Sequence, residues 1–233
     1  MIDTVEDVFK TPKDWVTFAT QYKRETIGTA SIITGHYRPG FYLMEGIKGY
    51  VVWYNEHTLH YTSLNINGKQ WMLDDPLHWI GMQELAKSTS GSVLVAGLGL
   101  GLVASQLIQN PKVTEIVVIE RNSDVIKLIG KYLQSPKISI INTDFEQYLV
   151  GIQGKIFDYA ILDLWVADDE STKEEREIIR NEMKTLTALC VNKLKSKVYI
   201  WGINDKIFNP AFEDSERLQK LKQEMIEEGD ENE

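Results

Sequence analysis

Between Val93 and Gly101 the chain reads Val-Leu-Val-Ala-Gly-Leu-Gly-Leu-Gly, an apolar β-branched run that ends in three glycines at alternate positions. Glycine at Gly97, Gly99 and Gly101 permits a tight turn and close approach of backbone to a ligand. If a helix follows, its first N–H groups attract negative charge. Glu120 lies nineteen residues beyond Gly101, at the end of the next apolar run. A carboxylate there accepts hydrogen bonds from ribose hydroxyls. Asp144 and Phe145 follow a third run, Ile138–Asn142, and Asp163 closes a fourth, Phe157–Asp163. Asp144 can accept from an exocyclic amino group while Phe145 packs on a base, and Asp144 also reads as a helix N-cap. The four positions describe a pocket for a nucleoside-containing ligand, at the carboxyl ends of parallel strands.

The elements that must hold these residues alternate. Ser92–Gly97, Glu115–Glu120, Ile138–Asn142 and Phe157–Asp163 are strand-like. Leu102–Gln109, Ser123–Leu133 and Asp144–Val150 are helical, as is the longer Glu170–Leu194, and Lys197–Trp201 is a further strand. Strands alternating with helices predict parallel βαβ units with right-handed crossovers, so the expected fold class is a doubly wound, mainly parallel, Rossmann-like α/β sheet. The N-terminal third is β-rich and antiparallel. Thr29–Thr34, Gly40–Glu45, Tyr50–Tyr54 and Thr58–Ile66 are divided by turn residues, and Asn67-Gly68 marks a hairpin into Lys69–Leu73. Asp3–Tyr22 reads as partly helical, broken at Pro12. Asp75-Pro76 opens a helix running to about Ser88. The expected organisation is a β-rich subdomain over 1–75, a ligand-binding α/β domain over 76–211 and an acidic tail over 212–233.

Net charge is −9, but Glu213–Glu233 holds nine acidic and three basic residues, so the body is close to neutral. There is no run of Lys and Arg, so no nucleic-acid partner is expected. Cys190 is the one cysteine, which excludes an internal disulfide and a thiolate metal cluster. No apolar run reaches membrane-spanning length and the first twenty residues lack a secretory pattern, so no membrane association and a cytoplasmic location are expected. His57 and His60 read as strand residues facing opposite sides, and no metal site is expected. His78, Asp74, Asp75 and Trp165 are substrate-side candidates. His36 is a further potential base. The β-rich third is a candidate homodimer surface.

The G-x-G-x-G spacing, with Leu102 interrupting the dehydrogenase pattern, resembles class I S-adenosylmethionine-dependent methyltransferases over about 91–201. That resemblance implies that Gly97, Gly99 and Gly101 meet the methionine part of S-adenosylmethionine, Glu120 the ribose, Asp144 the adenine end, and Asp163 the region beside the reactive methyl. The order of a β-subdomain before the nucleotide domain, and Val117–Ile126 (VVIERNSDVI), resemble the spermidine-synthase branch. Two departures separate the chain from that branch. Leu100 stands where aminopropyltransferases carry an acid in the glycine loop, and Val166 stands where the second Asp of their D-S-x-D-P stretch belongs. Asp163-Leu164-Trp165-Val166 also departs from the D-P-P-Y of adenine methylases. The expected activity is methyl transfer from S-adenosylmethionine to a small-molecule acceptor. The alternatives are aminopropyl transfer from decarboxylated S-adenosylmethionine and a non-catalytic nucleoside-binding or interaction module.

Overall fold

The computed structural model describes residues 9–11, 15–46, 49–152, 156–165 and 173–200. The expected acidic tail, the loop after Gly202, Asp3–Val8 and Pro12, and the helix start at Asp168, Asp169 and Glu170 lie outside the described residues, as does Val166. No helix among the described residues is long and apolar enough to cross a membrane.

In chain order the strands and helices are β1 (Phe9–Lys10), β2 (Glu25–Ile27), β3 (Ala30–Tyr37), β4 (Gly40–Gly46), β5 (Gly49–Asn55), β6 (Leu59–Ile66), β7 (Lys69–Leu73), α1 (Pro76–Lys87), β8 (Gly91–Ala96), α2 (Leu102–Gln109), β9 (Val113–Glu120), α3 (Ser123–Ile129), β10 (Ile138–Asn142), α4 (Phe145–Gly151), β11 (Tyr159–Leu162), α5 (Lys173–Leu189) and β12 (Lys197–Ile200). The last five strands form one sheet in the order β10-β9-β8-β11-β12, every pair parallel. Counted from β8 that is 3-2-1-4-5, the order of a doubly wound dinucleotide-type sheet, so the expected fold class is the observed one. Strand order reverses between β8 and β11, the position at which open α/β sheets bind ligands, outside the carboxyl ends of the strands.

The central strands are buried on both faces, which is why they read as continuous apolar runs. Period two along β8 divides the core. Val93 and Val95 pack with Ile116, Val118, Leu102, Leu107, Val125 and Leu128, and with Ala30, Ile32 and Leu64 of the N-terminal strands. Leu94 and Ala96 pack on the other face with Val117, Ile119, Leu149, Met183 and Leu186. The N-terminal strands thus cover one face of the parallel sheet together with α1, α2 and α3.

Those strands form a four-stranded antiparallel sheet, β2-β3-β6-β7, and a three-stranded sheet, β1-β5-β4. Asn67 and Gly68 both take positive φ (52° and 79°), the geometry of a two-residue hairpin turn matched to strand twist. The first sheet is pinned to α3. Thr29 N–H donates to Asp124 Oδ2 at 3.0 Å, and Gly28 (φ 54°) passes so close to that carboxylate that a Cβ would lie 2.1 Å from it.

Three local expectations are corrected. Phe9–Lys10 is a strand paired parallel with β5 rather than part of a helix, and among the described residues of this region the helical piece is one 3-10 turn, Phe18–Gln21. His57 lies in the turn before β6, so it is not a strand partner of His60. The residue facing His60 is His36, directly opposite on β3 with ring centroids 5.4 Å apart. The long helix after the fourth parallel strand ends at Leu189 and continues as a π-helical turn, Cys190–Leu194.

Candidate functional site

The turn leaving β8 needs its glycines for two separate reasons. Gly97, Gly99 and Gly101 all have positive φ (93°, 49° and 69°), where a side chain is strained. They also sit against neighbours. A Cβ on Gly97 would lie 2.3 Å from the Asp163 carbonyl oxygen, and one on Gly99 would lie 2.6 Å from Met72 Cε. Gly97 therefore lets the turn after β8 touch the turn after β11 at the point where strand order reverses. The leucines between the glycines point the other way. Leu98, Leu100 and Leu102 are buried in the core, Leu100 with none of its surface exposed.

The turn's polar groups are held from several sides. Gly97 N–H donates to Ile119 O at 2.9 Å, and Gly101 N–H to Leu98 O at 2.8 Å. Leu98 N–H donates to Glu120 Oε2 at 2.9 Å, and Asn122 N–H to the other oxygen, Oε1, at 2.7 Å. Glu120 thus sits at the end of β9 as expected and ties the glycine turn to its own strand. A carboxylate offers about four lone-pair sites, so two remain for a ligand diol. Leu100 N–H donates to the thioether of Met72 at 3.1 Å, and Tyr22 Oη donates to Leu100 O at 2.7 Å. Tyr22 is 4% exposed, and burial raises its hydroxyl pKa.

Two carboxyls outside the turn are desolvated, Asp163 after β11 and Asp74 after β7. Asp163 follows β11, its N–H donating to Ala96 O at 3.0 Å. It is half-buried, and desolvation pushes its carboxyl up to about 7. Asp74, between β7 and α1, is 2% exposed. Thr17 Oγ1 donates to its Oδ2 at 2.5 Å, while its buried Oδ1 has no partner among the described residues. Burial pushes this carboxyl to about 7; the Thr17 hydrogen bond pulls it down and the neighbouring Asp75 pushes it up. Asp75 caps α1, accepting from His78 N–H at 2.9 Å. The His78 imidazole is driven down to about 4 by desolvation, against a backbone hydrogen bond with Leu73. An imidazole this acidic is a weak base.

Asp144 caps α4, its Oδ1 accepting from Glu146 and Gln147 N–H at 2.9 and 3.1 Å. Phe145 is 5% exposed and packs in the core with Ala96, Val117, Ile119 and Leu149. Trp165 lies against the same cluster and donates from Nε1 to Glu182 Oε2 of α5 at 3.0 Å. No group of three or more metal-type ligands occurs among the described residues. The structure sets Gly97, Gly99 and Gly101 in one turn, ties that turn to Glu120 at the end of β9, and places the Asp163 backbone against Gly97. Met72, Tyr22 and Thr17 were not singled out in the sequence. Each acts across a long stretch of chain, and no spacing marks it.

By sequence, no protein family and no curated protein matches the chain. By structure it is similar to several solved proteins. A spermidine synthase from Thermotoga maritima matches 46% of this chain and 40% of its own length, at 18% identity and a TM-score of 0.38. A spermidine synthase in complex with the transition-state analogue AdoDATO matches 68% and 57%, at 17% identity and 0.45. A dimethyladenosine transferase from Plasmodium falciparum matches 49% and 38%, at 18% identity and 0.33. The chain spans less than two thirds of the length of each of these proteins.

Proposed function

We propose that this protein is an S-adenosylmethionine-dependent methyltransferase acting on a small-molecule acceptor. The observation that carries the reading is the contact of the two turns at the switch point, Gly97 against Asp163, with Glu120 beside them at the end of the adjacent strand. The donor set suits the ligand. Two lone-pair sites of Glu120 are open to ribose hydroxyls, and Asp144 at the third strand end has a second carboxylate oxygen for an amino group.

S-adenosylmethionine supplies a methyl group on a sulfonium, which needs an in-line acceptor and, where the acceptor carries a proton, a base. Asp163 suits that second task. A carboxyl that titrates near 7 takes a proton at neutral pH far more readily than an ordinary one. Aminopropyl transfer is the weaker reading. Leu100, where an acid would face the ammonium of the decarboxylated donor, is buried in the core.

Calorimetry tests the proposal. S-adenosylmethionine should bind, and Glu120→Ala should weaken binding about tenfold or more through loss of a charged acceptor. Absence of binding at high protein concentration rejects it. Tighter binding of decarboxylated S-adenosylmethionine moves the assignment to aminopropyl transfer. Binding without turnover across a broad acceptor panel moves it to a non-catalytic module.

A further inference from the structure

The face that Gly99 keeps bare is covered by a side chain from the N-terminal sheet. Met72, on β7, lays its sulfur 3.1 Å from Leu100 N and its Sδ and Cε 2.7 and 2.6 Å from where a Gly99 Cβ would stand. Leu100 N–H is held only softly. The N–H groups of Gly97, Leu98 and Gly101 donate to backbone or carboxylate oxygens, whereas Leu100 donates to a neutral thioether, a weak acceptor. A ligand oxygen makes a stronger bond to the same N–H. Methionine is unbranched and has three rotatable bonds, so it can leave without moving the strand that carries it. Met72 is partly buried and belongs to the edge strand of its sheet, paired with β6 alone.

We infer that Met72 controls access to the glycine turn, its thioether and the incoming ligand competing for Leu100 N–H and for the space over Gly99. This rests on the reading of the turn as the ligand site. The competition lowers apparent affinity by the fraction of time Met72 is seated, and removing the side chain returns that affinity.

Calorimetry with S-adenosylmethionine and S-adenosylhomocysteine, on the unaltered protein and on Met72→Ala, provides the test. Met72→Ala should bind about fivefold tighter or more. In the unaltered protein labelled at its methionine methyls, S-adenosylhomocysteine should shift the Met72 signal, assigned with Met72→Leu. That measurement stands even if the alanine variant folds poorly. Binding by Met72→Ala alone supports the inference. Binding to the unaltered protein with no gain in Met72→Ala, or with the Met72 methyl unmoved, overturns the inference and leaves the site reading intact. No binding to either protein rejects the site reading, and the inference with it.

Discussion

The glycine turn and the two desolvated carboxyls, Asp74 and Asp163, are built on opposite principles. On the glycine side nearly every polar group is engaged. Backbone N–H groups reach backbone oxygens, both Glu120 oxygens are held, and Tyr22 covers Leu100 O. On the acid side Asp74 and Asp163 are withdrawn from water with few donors to offset it, and both titrate near 7. A satisfied network fixes geometry; an under-satisfied carboxylate is free to exchange a proton. The contrast suggests that the glycine side contributes shape and stability, and the acid side contributes response to pH.

The largest expected effect breaks the glycine side where it meets the acid side. Gly97→Ala combines positive φ with a Cβ 2.3 Å from a backbone oxygen, and should cost about 4 kcal/mol in chemical denaturation. A loss under about 1 kcal/mol would mean the two turns separate easily.

The acid side should show itself in the pH dependence of stability. A carboxyl raised from 3.8 to about 7 binds its proton more tightly in the folded state. Its stabilising contribution is therefore complete below pH 4 and is lost as pH rises through 7. Thermal melts should fall between pH 4 and 8. Asp74→Asn, which mimics the protonated acid, should flatten that slope and be more stable than the parent at pH 8. An unchanged slope would remove Asp74 from the comparison.

Tyr22→Phe deletes one hydrogen bond to the turn and strands a buried carbonyl. A loss of about 1–2 kcal/mol is expected, with no change in the pH slope. Smallest of all is Lys131→Ala. Its ion pair with Glu25 is exposed on both sides, so melting temperature should not move measurably.

The parallel half of the fold was legible because its strands are buried on both faces and leave unbroken apolar runs. Ile138–Asn142 and Leu102–Gln109 have the bounds read from sequence, and Glu120 and Asp163 lie at the expected strand ends. The N-terminal half was less so. Phe9–Lys10 is a strand only because β5 lies beside it, 44 residues along, and nothing local encodes that. The same holds within the site. Glycine spacing announces a turn, but that Met72 would rest on it, or Thr17 on Asp74, depends on how the N-terminal sheet docks.

Leu100 limits what the glycine turn can become. Its side chain is an anchor of the core rather than a wall of the cleft. A mutation to aspartate there would bury an unpaired charge among leucines. The turn therefore accepts an acid at this position only if the loop first turns over.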